Sequence, residues 1–179
     1  MFLGVVMKKI KKIIISALLL ASAIVINRFL SINTSILSIG FTFVPLMLSG
    51  IILGPKYSIL IAGLADLIGA LLFPFGAFFI GYTISALLTG LVYGVMLYRK
   101  EEFKVDKKFI IRLLVAILIV TIFINGGLNT LWLIITSEKA TIAILPTRIL
   151  KNLIMIPVMF VTMLSLSKLL EKQIGDMHD

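Results

Sequence analysis

The 179-residue chain has no cysteine, one histidine, one tryptophan and only eight acidic residues. Each scarcity removes a class of chemistry. Without cysteine there is no disulfide and no thiolate nucleophile. The single histidine, His178, lies in the C-terminal tail. There is no H-E-x-x-H, no G-x-S-x-G and no pair of acids within an apolar run, so hydrolysis inside a membrane has little support. No G-x-x-x-x-G-K-[ST] loop is present, so ATP is not bound in the P-loop manner. The chain is expected not to be an enzyme and to carry no cofactor. Charge is also scarce, at 14% of residues, whereas 60% are hydrophobic. That balance excludes an ordinary soluble domain and points to a polytopic membrane protein.

A span needs about 20 apolar residues. Six such runs are legible, at 13–30, 39–53, 57–73, 78–98, 109–135 and 143–166. They leave no room for a separate soluble domain, so a single all-α bundle of six transmembrane helices is expected. An isolated segment in lipid must satisfy its own backbone hydrogen bonds, which favours helices, and no run alternates like a barrel strand. The basic start, apolar run and Ala21-Ser22-Ala23 also resemble a secretory leader, but the run continues past that point. Ser31 to Ser38 reads as a polar loop.

The net charge of +9 is concentrated in short connections. It reads as a topology signal and as contact with anionic lipid headgroups rather than with nucleic acid. The N-terminal lysines, Lys56, Arg99, Lys100, Lys104, Lys107, Lys108, Arg112, Lys168 and Lys172 fall on one side, 13 of the 17 basic residues. The positive-inside rule then places both termini in the cytoplasm. Arg28, Arg148 and Lys151 fall near the outer ends of helices 1 and 6, against that rule. Arg148 and Lys151 are three residues apart and share a helix face just after Pro146, which suits a first turn. Snorkelling to headgroups is one reading. A cationic pocket for an anionic solute is the other, favoured because three cations meet one nearby outer acid, Glu138.

Thr121, Asn125, Asn129, Trp132 and Thr136 recur at four- and three-residue spacing along helix 5. They read either as a polar helix–helix seam with an interfacial anchor or as a ligand wall, with amides for ring nitrogens and an indole for a flat ring. Asp66 is the only acid well inside a span, so it pairs with Arg28 or neighbouring helices, or faces a ligand. A proton relay would need further titratable groups. Phe75, Phe78, Phe79 and Tyr82 form an interfacial cluster or a stacking surface. Ala17 and Ala21 form A-x-x-x-A on helix 1, which permits close helix approach. Gly81, Ser85 and Thr89, and Gly90 with Gly94, form small faces suited to internal packing.

The length, six spans and A-x-x-x-A resemble the substrate-binding (S) subunits of energy-coupling factor (ECF) vitamin transporters. Gly54-Pro55, Asp66, P-F-G-A-F-F-I-G-Y-T (74–83), L-N-T-L-W-L (128–133) and L-P-T-R-I-L-K-N (145–152) are most similar to the folate family among them. The resemblance implies a multi-pass protein of a bacterial cell membrane that captures folate at the outer face. It also implies a separate membrane scaffold subunit and two ATPase subunits that hydrolyse ATP. Ala17 and Ala21 would contact the scaffold. Arg28, Arg148 and Lys151 would meet the folate carboxylates, with Trp132, Phe78 and Tyr82 stacking and Asn129 or Asp66 reading the ring edge. An S subunit for riboflavin or thiamine, and an envelope scaffold with no ligand, are the alternatives.

Overall fold

The computed structural model describes residues 2–33, 38–74, 78–99, 103–136 and 145–175. Phe75, Lys100, Glu138 and His178 lie outside the described residues. In chain order come α1 (Phe2–Phe29), a small antiparallel hairpin of β1 (Ile32–Asn33) and β2 (Ser38–Ile39), and α2 (Phe43–Leu53). Then follow α3 (Pro55–Leu72), α4 (Ile80–Leu97), α5 (Lys107–Thr136) and α6 (Leu145–Gly175). The expected six-helix bundle is present. Among the described residues, five helices are long and apolar enough to cross a membrane, at Lys9–Phe29, Pro55–Leu72, Ile80–Leu97, Lys107–Thr136 and Leu145–Lys172.

The second expected span is shorter than a full crossing. α2 has 11 residues, about 16 Å at the helical rise per residue, against a hydrocarbon core of about 30 Å. Residues 39–42 precede it as the second hairpin strand and a turn rather than as helix. At its other end Gly54 adopts φ 83°, a left-handed value open to glycine, and Pro55 begins α3 at once. The polar loop expected at Ser31–Ser38 contains the hairpin, with Ile32 paired to Ile39.

α4 is the central helix, packed on α2, α3 and α5. Small residues allow the closeness. A Cβ on Gly90 would strike the Ser58 backbone of α3, and one on Gly94 would strike Pro55. Ser49 of α2 donates to Ser58 at 3.0 Å, joining α2 to α3 where both are fully buried. Gly90 and Gly94 therefore serve internal packing, as their spacing predicts. α1 rests on α2 and α3 at the edge of the bundle.

Phe43, Met47, Tyr93, Leu97, Phe109, Leu113, Ile117, Met159 and Met163 form the main core, drawn from α2, α4, α5 and α6. Around it the surface is apolar: Leu18, Phe123 and Val161 are each more than 60% exposed. So continuous an apolar exterior suits lipid and not water.

α5 is not uniform. Lys107–Leu118 and Asn129–Thr136 are α-helical, but Ile119–Leu128 winds as a π-helix. Wider turns of this kind are uncommon and concentrate at functional sites. Gly126 and Gly127 stand within it, where helix propensity is lowest. The Asn152 side chain of α6 donates to the Thr121 carbonyl of this segment at 3.4 Å.

Candidate functional site

At one end of the bundle, α4 begins and α5 ends side by side. Phe79 precedes α4 in an extended conformation, φ −136°, which turns its ring back over the first helical turn. There it meets Tyr82 edge-on, with centroids 6.2 Å apart, and Trp132 at 5.7 Å and 54°. Both separations lie in the attractive range for aromatic pairs. Gly81 makes room for the indole: a Cβ there would sit 2.7 Å from Trp132 Cδ2. The indole N–H donates to Ser85 Oγ at 3.0 Å. Trp132 is thus held by α4 on two sides and is half-buried. With its one donor used, its ring face is what it can offer.

Phe78 is 46% exposed. Its neighbour Phe79 is the ring that joins Trp132 and Tyr82. Alternation between adjacent phenylalanines cannot be read at a helix start, because the chain there has not yet adopted the helical period. Ser85 was legible only as part of a small-residue face, and Gly81 likewise.

The first turns of α6 face this aromatic group. Arg148 and Lys151 are both half-buried. The Tyr82 phenol is an electrostatic neighbour of Arg148, and Arg148 is the charged neighbour of Lys151. Two like charges held together in a poorly solvated place repel each other. An anion between them would remove the repulsion and accept their N–H donors. Asn152, the next residue, reaches the π-segment. It stands in the L-P-T-R-I-L-K-N motif, yet nothing in its spacing marks it as a tie between α6 and α5.

Asn125 and Asn129 lie in and after the π-segment. Asn129 Nδ2 donates to Asn125 Oδ1 at 3.1 Å. Asn129 Oδ1 is buried and accepts no hydrogen bond from the described residues. A buried acceptor without a donor is costly, so this carbonyl is suited to a ligand N–H. Thr121 is fully buried, whereas Thr136 is exposed. The stripe expected along helix 5 therefore splits into a buried start, a half-buried middle at Asn125, Asn129 and Trp132, and an exposed end.

Arg28 and Asp66 form a second group. Arg28 NH1 donates to the Phe73 carbonyl at 3.0 Å, and its guanidinium lies against Gly69. Asp66 accepts from Thr83 Oγ1 at 2.8 Å and attracts Arg28. These contacts tie α1, α3 and α4 together. The structure thus brings Arg28 to Asp66, and Arg148 to Lys151 and Tyr82. The partners seen for Arg28 are on α3.

Ala17 and Ala21 lie on an exposed face of α1, beside exposed Leu18 and Ser22. Ser16 and Ser22 donate to carbonyls of their own helix, Lys12 and Leu18, at 2.7 and 2.8 Å. The face is small and has its hydroxyls satisfied locally. Ala23, not Ala17 or Ala21, is the alanine fully buried against the bundle.

A family model described as "ECF transporter, substrate-specific component" matches residues 11–167. The folate transporter FolT of Clostridium novyi (strain NT) is 40% identical over 152 residues, 85% of each chain. FolT of Leuconostoc mesenteroides subsp. mesenteroides is 35% identical over 153 residues, 83% of this chain and 80% of that one. Among solved structures, a crystal structure of FolT bound with folic acid has the same fold, with a TM-score of 0.79 and 34% identity. It covers 88% of this chain and 93% of that one.

Proposed function

The chain belongs to the substrate-specific components of ECF transporters, and on that premise we propose that it binds folate at the Trp132 end of the bundle. The observation that carries the reading is the meeting of aromatic rings and paired cations there. Phe79, Tyr82 and Trp132 form one group, and Tyr82 leads directly to Arg148 and Lys151. Folate has the matching parts: a flat pterin, a benzoyl ring and a glutamate with two carboxylates. Trp132 and Phe79 offer ring faces to the flat portion. Arg148 offers a planar fork to a carboxylate and Lys151 a point charge. Asn129 Oδ1 offers an acceptor to a ring N–H.

Further parts of the proposal concern placement and partners. The charge asymmetry puts the Trp132 end at the outer face, where the vitamin arrives. Ala17 and Ala21 form the face of α1 that docks on a membrane scaffold subunit, and separate ATPase subunits supply the energy. Arg28 and Asp66 set the spacing of α1, α3 and α4 around the site.

Trp132 is the only tryptophan, so its fluorescence reports the site directly. Folate titrated into the purified protein should quench it with saturation at micromolar concentration. No response to folate, with a response to riboflavin or thiamine, would keep the family and reject the vitamin. No response to any of them would reject capture at this site. The partner reading has its own test: Ala17→Trp should abolish folate uptake in cells while leaving folate affinity, measured by isothermal titration, unchanged. Equal loss of binding would place Ala17 within the bundle's own packing.

A further inference from the structure

The opposite end of the bundle carries its own group of cations. Its described acids are engaged. Asp106 accepts from Arg99 at 2.8 Å and from the Phe109 amide at 2.7 Å, and Glu171 accepts from the Val105 amide at 3.1 Å. Lys108 and Arg112 have no acid beside them among the described residues. They are four residues apart on α5, so one stands above the other on a single face. Arg112 lies across the seam to α4, where its NH2 group donates to the Val95 carbonyl at 3.4 Å. α4 ends at Leu97, so Val95 is among the last carbonyls that the helix itself leaves unmatched. A guanidinium has five N–H donors, and this contact occupies one side of the fork.

The surface beneath these cations is apolar on both helices. Leu91 and Val95 of α4 are 40% and 52% exposed, and Ile111 and Val115 of α5 are 53% and 36% exposed. Lys108, Ile111, Arg112 and Val115 follow the i, i+3, i+4, i+7 pattern of one helix face. Two apolar tracks therefore run along the seam from a pair of cations at its end. Basic recesses between membrane helices suit anionic headgroups.

We propose that the α4–α5 seam binds an anionic glycerophospholipid. Its phosphate lies between Lys108 and Arg112, and its acyl chains lie along Leu91 and Val95 and along Ile111 and Val115. A zwitterionic lipid brings its own cation to the same place and binds less well. The lipid joins two helices that otherwise meet here through the Arg112–Val95 contact.

The test is native mass spectrometry of the full chain, titrated with phosphatidylglycerol or with phosphatidylcholine. Retention of phosphatidylglycerol should be about 25-fold tighter, from about fivefold for each of the two cations. K108Q/R112Q should lose that preference while folate still quenches Trp132. K9Q/K11Q, which removes equal charge elsewhere, should keep it. If the double variant does not fold, K108Q alone, at an exposed position, should reduce the preference by about fivefold. Equal retention of both lipids, persistence of the preference without Lys108 and Arg112, or its loss in K9Q/K11Q would each overturn the proposal. So would displacement of phosphatidylglycerol by millimolar inorganic phosphate, which would identify a phosphate site without acyl contacts.

Discussion

At the Arg99 end, Asp106 meets Arg99 at 2.8 Å, caps α5 through the Phe109 amide, and stands beside a core of fully buried Leu97, Phe109 and Leu113. At the Trp132 end, the charged neighbour of Lys151 is another cation, Arg148, and Asn129 Oδ1 is buried without a donor. The first end engages its described acids within the chain and leaves Lys108 and Arg112 to an anionic lipid. The second holds groups whose natural complement is an anion with N–H donors. In lipid this difference matters, because water is not there to make up an unmatched group. Buried polar atoms without a partner among the described residues occur toward both ends, Tyr93 Oη and Ser167 Oγ toward the first, so what marks the second end is that its like charges stand beside aromatic rings and a free amide carbonyl.

The contrast would break most plainly if the α6 cations were silent. R148Q/K151Q should weaken folate binding by roughly 100-fold or more, since each charge-assisted hydrogen bond contributes about 1.5–3 kcal/mol. Isothermal titration of the purified variant measures it. Unchanged folate affinity would mean that both side chains only reach for headgroups, as Lys108 and Arg112 do at the other end.

A smaller change sharpens the comparison. Ser85→Ala removes the partner of the Trp132 indole, 3.0 Å away, but leaves the Phe79 contact and the space over Gly81. A neutral hydrogen bond contributes about 1 kcal/mol, so folate affinity should fall by about fivefold. The Trp132 emission maximum should shift as the indole N–H loses its acceptor. An affinity change with no spectral shift would place Ser85 in direct contact with ligand instead of behind the indole.

These two tests also mark where sequence reasoning reached. Helix identity and most boundaries followed from apolar runs, because lipid forces each run to be a helix. Arg148, Lys151 and Trp132 stood out because charge and large aromatics are rare inside such runs. Three things were not legible. α2 has the composition of a span but stops after 11 residues, since the preceding residues pair as a hairpin whose register depends on tertiary contacts. The π-winding of Ile119–Leu128 displaces side chains by a fraction of a turn, which spacing rules for an α-helix cannot anticipate. The choice of Phe79 over Phe78 depends on the extended residue before α4. Arg28 is a mixed case: charge grouped it with Arg148 and Lys151, the lone acid of α3 offered it a partner, and its seen contacts are the Phe73 carbonyl and Asp66.

The smallest expected effect tests the Arg99 end. The hydrogen bond from Arg99, then the Phe109 amide, holds the Asp106 carboxyl below the usual aspartate range. A depressed value in the folded state means that this stabilisation is full above the ordinary value of about 3.9. It is lost as pH falls through the folded value. Asp106→Asn isolates the charge, because asparagine caps a helix as well as aspartate does. The wild type should therefore melt slightly higher than D106N at neutral pH, with the gap closing as pH is lowered from the ordinary aspartate value of about 3.9 through the depressed folded value. Because Asp106 is exposed, added salt should narrow the gap at neutral pH as well. A gap that stays constant across that pH range would assign the stabilisation to cap geometry and not to the ion pair. The Arg99–Asp106 contact would then be an exposed ion pair with no measurable share in stability.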